Sequence, residues 1–409
     1  MKIAVIGAGP AGLCALKSCL DENFSCDVFE KSGLIGGVWN YNEKTGLDEF
    51  GIPIHNSVYT DLWTNLPTDL MQFENFPFKC PVSFVRQPDV LKYINDYADA
   101  FNLRSHIQFY KHVEEIRPLP NNRWKISIRD LKSMGQELVI KEYDAVIICV
   151  GNFNKPLIPT FKGLDKFKGT VKHSYTYRKP DPYKNRKVLI VGKGPSGSDI
   201  TGLVSKVAEK VVLSHRSPLR EYAKFSENVK IKPVIAEFKE NSVLFVDGTE
   251  EDITDVLLCT GYAFDYPFLT NECGIEVEDN YVKYLYKQII NAKHPTMAIL
   301  GIPHTTFLLI MFGIQMRFFI AYLKGQFTAS KETMIEDAIN YEKHRKDEGG
   351  SLLKIKKEYY DDLSDTAKIQ NIPPVYDKLF RHVLEVGPMK YQENYTILND
   401  EEFIITKLH

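Results

Sequence analysis

Two short stretches carry glycines at spacings that suit phosphate chemistry. "GAGPAG" holds Gly7, Gly9 and Gly12, and "GKGPSG" repeats the pattern with Gly192, Gly194 and Gly197. In such a turn the first glycine permits the tight bend. The second lets backbone approach a pyrophosphate, and the third lets helix pack closely on strand. The helix that follows offers unpaired N–H groups and the positive end of its dipole to an anion. Glu30 ends the next apolar run after the first turn. It falls about 20 residues on, where an acid accepts from a ribose hydroxyl. Arg216 stands at the matching place after the second turn. An acid there repels a 2′-phosphate, whereas a guanidinium pairs with it. The contrast assigns FAD to the first turn and NADPH to the second, against the plainer reading of Arg216 as a solvated surface residue. Ser196 and Ser198, at the second helix start, are either phosphate ligands or simple caps.

Other candidates are less decided by residue type. Trp39, in "LIGGVWNY", offers a flat face to a flavin or adenine ring, or packs in the core. Asn65 stands among apolar neighbours in "YTDLWTNLPTDLMQFENFPF". A buried amide must be hydrogen-bonded, so Asn65 is either structural or aimed at a ligand. His173 in "FKGTVKHSYTY" is the residue of that stretch that titrates near neutral pH. The commoner fate of a lone histidine is structural, and an architectural role is the expectation here.

These residues require two strand–turn–helix–strand units to position them. "KIAVIG", "LCALKSCLDE" and "SCDVFE" supply the first; "KVLIVG", "SDITGLVSKVAE" and "KVVLSHR" supply the second. Each is a βαβ unit with a right-handed crossover. The apolar runs in "YDAVIICVGNFNKPLIP" and "ITDVLLCTGY" each read as a buried strand closing one nucleotide sheet. The predicted fold is α/β, with two Rossmann-like dinucleotide-binding domains and the NADPH domain inserted into a larger FAD domain. The expected boundaries are 1–160 for the first part of the FAD domain and 161–295 for the NADPH domain. Residues 296–409 form the second part of the FAD domain and C-terminal helices.

Composition excludes several classes. The 409 residues exceed what one core usually supports. A net charge of -2 argues against nucleic acid as a partner. The seven cysteines contain no C-x-x-C pair, so neither a redox dithiol nor a zinc ribbon is suggested, and no metal site is expected. "FLLIMFGIQMRFFIAYL" is interrupted by Gln315 and Arg317. It falls short of the roughly 20 apolar residues that span a bilayer, so a buried helix is expected and no membrane anchor. The expected localisation is soluble, cytoplasmic, or secreted if a leader has been removed.

Taken together the chain resembles the flavin-containing monooxygenase family. "GAGPAG", "FKGTVKHSYTY", "GKGPSG" and "LLCTGY" carry the resemblance, in that order. The family fingerprint F-x-G-x-x-x-H-x-x-x-[YF] is met by Phe167, Gly169, His173 and Tyr177. The related Baeyer–Villiger oxygenases end it with Trp. Within the family the chain looks most like the short insect alkaloid N-oxygenases. The resemblance implies an NADPH- and O2-dependent oxygenation of a soft nucleophile, a tertiary amine, alkaloid or sulfide, through a C4a-hydroperoxyflavin. It implies Asn65 as the catalytic residue. The implied cofactor contacts are Gly7, Ala8, Gly9, Pro10, Ala11, Gly12, Glu30, Gly37, Val38, Trp39, Thr64, Asn65, Leu66 and Val113. To these it adds Gly192, Gly194, Pro195, Ser196, Gly197, Ser198, Asp199 and Arg216 for NADPH, and Gln315 beside the flavin. A ketone monooxygenase and a non-oxygenating NADPH–flavin reductase are the alternatives. Whether the chain forms a homo-oligomer stays open.

Overall fold

The computed structural model describes residues 1–133, 138–216, 225–303, 306–347 and 357–408. The strands that matter here are β1 (Lys2–Ile6), β2 (Ser25–Glu30), β3 (Ile107–Phe109), β4 (Ala145–Ile148) and β5 (Thr170–His173). They continue with β6 (Lys187–Val191), β7 (Lys210–Ser214), β8 (Val229–Lys232), β9 (Asp255–Leu258) and β10 (Met297–Ile299). The helices that matter are α1 (Pro10–Asp21), α2 (Pro195–Val204) and α3 (Leu308–Leu323).

The chain folds as two compact units. In the first, β10, β4, β1, β2 and β3 lie side by side and parallel. The short antiparallel strands Leu285–Tyr286 and Ile290–Asn291 extend the sheet at the β10 edge. In the second, β8, β7, β6, β9 and β5 form an all-parallel sheet. Strands such as "KIAVI" and "KVLIV" are apolar on both faces because parallel sheets are covered on both sides. Burying one such aliphatic side chain stabilises by about 1.5–3 kcal/mol. The internal repeat is present at hydrogen-bond level. Gly7 N–H donates to Phe29 O and Gly192 N–H to Ser214 O, both at 2.8 Å. The apolar run around Gln315 forms α3, buried on nearly every face. No helix among the described residues is long and apolar enough to cross a membrane. All seven cysteines are unpaired thiols, and burial pushes Cys259 up to about 12.

The unit boundaries differ from the sequence expectation in two ways. The first unit comprises Met1–Asn40, Leu66–Asn152 and Phe264–His409, and the second Tyr41–Asn65 and Phe153–Ala263. The return to the first unit therefore comes near 264, not near 296. Phe264, Tyr266 and Cys273 pack with Val113, Trp124 and Tyr143 in one buried cluster, which ties that segment to the first unit. The second difference is the excursion Tyr41–Asn65, which leaves the first unit and folds onto the second.

Candidate active site

The first glycine turn is built around close backbone approaches. Gly7 has φ +101°, and a Cβ there would meet Cys149 O at 2.6 Å. A Cβ at Gly12 would stand 1.9 Å from Gly7 O. Gly9 is the N-cap of α1 with no side-chain cap, and Pro10 opens the helix, with Ala11 buried behind it. With no side chain capping them, the first amides of α1 beyond Pro10 keep their capacity for an anion. The Ala8 amide donates to Glu30 Oε2 at 2.8 Å, and the Ser32 amide donates to Glu30 Oε1 at 2.8 Å. Glu30 therefore holds the turn while remaining an acceptor, since a carboxylate has about four lone-pair sites. The "LIGGVW" segment lies against this turn: Gly36 N–H donates to Ala8 O at 3.0 Å. A Cβ at Gly37 would approach Gly9 Cα to 3.1 Å. Val38 and Trp39 are half-buried, and the Trp39 carbonyl accepts from Gln87 Nε2.

The second turn reproduces this geometry. Gly192 has φ +104°, and a Cβ there would meet Cys259 O at 2.5 Å. A Cβ at Gly197 would stand 1.9 Å from Gly192 O. Gly194 is the uncapped N-cap of α2, and a Cβ there would meet nothing within 4 Å. Pro195 opens the helix. Neither Ser196 nor Ser198 caps it, and Ser198 Oγ lies 3.5 Å from Lys193 O. Arg216 is exposed, just beyond β7. The Asp199 carboxylate turns to protein, since the Tyr59 hydroxyl donates to its Oδ2 at 2.6 Å. Burial raises the pKa of Asp199, which the Tyr59 bond only partly opposes.

The remaining candidates come from several different elements. Val113 is buried beside Phe29, opposite Ile128 and next to a register shift that ends at Glu115. Gln315 is wholly buried. It accepts from Gly301 N–H at 3.1 Å and donates to Tyr359 OH at 2.9 Å. The Gly301 carbonyl in turn accepts from Asn152 Nδ2 at 2.5 Å. Thr64 is buried and Leu66 half-buried. Asn65 is exposed, which corrects the expectation that its apolar neighbours bury it. Those neighbours turn elsewhere: Leu62 packs on the second unit's core and Leu66 on the first unit's.

His173 caps the turn after β5, and its Nδ1 accepts from Tyr175 N–H at 3.0 Å. Burial lowers its pKa to about 4, against a smaller opposing effect of the Gly261 backbone. It is neutral near pH 7 and packs edge-on to Tyr262 at 5.3 Å. Asn152 and Arg178 went unnoticed in the sequence. Arg178 directly follows the fingerprint, and that adjacency was the one available signal.

Two sheets with parallel central strands, each carrying a glycine turn and an uncapped helix, define an α/β protein with two Rossmann-type units. The chain belongs to the flavin-binding monooxygenase-like family, whose pattern it matches over residues 1–220 and 222–384. It is 29% identical over 420 aligned positions to senecionine N-oxygenase of Tyria jacobaeae, covering 98% of this chain and 91% of that protein. It is 31% identical to the flavin-containing monooxygenase GS-OX5 of Arabidopsis thaliana, covering 83% and 78%. The S-allyl-L-cysteine S-oxygenase of Allium sativum superposes with a TM-score of 0.86 at 26% identity, covering 95% and 94%. FAD and NADPH are the cofactors of these monooxygenases. The cradles fit them: both turns hold glycine where a Cβ would strike backbone.

Proposed function

We propose that this flavin monooxygenase oxygenates a soft nucleophilic heteroatom at the expense of NADPH and O2. The substrate class is a tertiary amine, including plant alkaloids, or a sulfide. The observation that carries the reading is the pair of uncapped glycine turns with unlike partners, Glu30 at the first and Arg216 at the second. Bound FAD supplies the redox chemistry that takes electrons from NADPH and activates oxygen. The chain's residues bind and orient. The turn at Gly7–Gly12 and the first amides of α1 receive the FAD pyrophosphate, and Glu30 accepts from its ribose. The turn at Gly192–Gly197 receives NADPH, and Arg216 pairs with the 2′-phosphate. Asn65 presents an amide with both donor and acceptor atoms to the reacting groups. Relatives whose names specify N-oxygenation and S-oxygenation support both heteroatoms.

The test is NADPH oxidation across tertiary amines, alkaloids and thioethers, with products identified by mass. An N-oxide or sulfoxide is expected. Conversion of a ketone to an ester, with amines untouched, would overturn the reading in favour of Baeyer–Villiger chemistry. Asn65→Ala should keep bound FAD and lose coupled oxygenation. Unchanged product yield would remove Asn65 from the site.

A further inference from the structure

Arg178 is 7% exposed, and its guanidinium is spent entirely on backbone. Nε donates to Asn42 O at 2.7 Å. Nη1 donates to Tyr175 O and Tyr177 O, both at 2.9 Å. Nη2 donates to Asn56 O at 3.2 Å and Lys44 O at 3.4 Å. A guanidinium has five N–H donors, so this set uses them all. Two carbonyls belong to the fingerprint turn, and three to the excursion Tyr41–Asn65. The Arg178 carbonyl also accepts from the excursion, from Thr60 N–H and Thr60 Oγ1, each at 2.8 Å. The two arms of the excursion thus close around one side chain.

Three further side chains tie the same segment down. Tyr175 OH donates to Ile54 O. Tyr59 packs edge-on to Tyr177 at 5.4 Å and donates to Asp199 at 2.6 Å. Asn56 is 1% exposed, donates to Asn42 O and accepts from Val58 N–H. A buried cation is tolerated only where hydrogen bonds replace its water. The expenditure is out of proportion for holding an ordinary surface loop. Asn65 is the last residue of this segment.

We infer that Arg178 is a positioning residue for Asn65. It fixes the excursion to the second nucleotide unit, so the placement of Asn65 is set by the unit that takes NADPH. Tyr59 on Asp199 is the second fastening. The inference rests on Asn65 being the active-site amide.

The test uses the FAD-loaded enzyme with Arg178→Lys, which keeps the charge and loses the fork, and Tyr59→Phe, a milder change. Hydrogen exchange at the Asn56–Thr60 amides, measured without nucleotide, should accelerate about tenfold in Arg178→Lys, which reads local opening of the segment. Bound FAD and NADPH-driven flavin reduction should stay within about twofold, while the ratio of hydrogen peroxide to product rises toward that of Asn65→Ala. Tyr59→Phe should fall between. The double variant Arg178→Lys/Asn65→Ala should be no less coupled than Asn65→Ala alone, as for residues acting through one another. If Asn65→Ala is uncoupled but Arg178→Lys and Tyr59→Phe are fully coupled, the inference fails and the Asn65 reading stands. If Asn65→Ala is coupled like the parent, the Asn65 reading fails and takes the inference with it.

Discussion

Gly12 lies against the carbonyl of Gly7, where a Cβ would stand 1.9 Å from the oxygen, and Gly197 has the same 1.9 Å relation to Gly192. No side-chain motion relieves a clash between Cβ and backbone. Gly12→Ala should therefore displace the first turn and lose bound flavin. Gly197→Ala should keep flavin and lose NADPH binding. Gly194→Ala is the control, because its Cβ would meet nothing within 4 Å. That variant should melt like the parent, and a raised NADP+ Kd would report ligand approach alone. Flavin absorbance and calorimetric titration with NADP+ separate the three.

Arg216→Ala should reduce the preference for NADPH over NADH by about 10–100-fold, the range for losing one charge-assisted pair at a phosphate. Arg216 is exposed, so thermal stability should not change. Steady-state rates with both nucleotides measure the ratio.

His173 should make the protein acid-sensitive in a defined window. Its folded pKa is about 4, below an ordinary value of 6.5. As pH falls from about 6.5 toward 4, the unfolded chain takes up a proton that the native imidazole refuses. Stability is therefore full above the window, falls through it and levels below, by on the order of 3 kcal/mol. Asparagine can also accept from the amide two residues on. His173→Asn should thus retain the turn and flatten this part of the pH–stability curve, as read by thermal melts from pH 4 to 7.

Gln315→Leu should destabilise by on the order of 2–4 kcal/mol, because Gly301 N–H and Tyr359 OH each lose a buried partner. The amide of Gln315 is engaged at both ends by protein. The loss should consequently be as large in flavin-stripped protein as in the holoenzyme. A deficit confined to the holoenzyme would show that Gln315 acts through the flavin.

The elements carrying the glycine turns were legible because their signals are local. A both-faces-apolar strand, a glycine at fixed offsets and a helical period sit within about 30 residues, the span of one βαβ unit. Glu30 and Arg216 were legible as candidates for the same reason. The second unit boundary was not. Leu285–Tyr286 and Ile290–Asn291 are two-residue strands and show no periodicity, so nothing announced that the chain was already back in the first sheet. Asn65 was misjudged in burial because its apolar neighbours pack on different cores. The hold on Tyr41–Asn65 was invisible for another reason. Arg178 binds carbonyl oxygens, which every residue possesses, so the partners leave no trace in residue type.

The split of the second unit into Tyr41–Asn65 and Phe153–Ala263 has a bearing on recombination among relatives. A chimera that exchanges residues 153–263 alone would cut across the Arg178 and Tyr59 bonds and pair a foreign scaffold with a native loop. The exchangeable module is discontinuous, and a productive graft of cofactor preference must carry both pieces of chain.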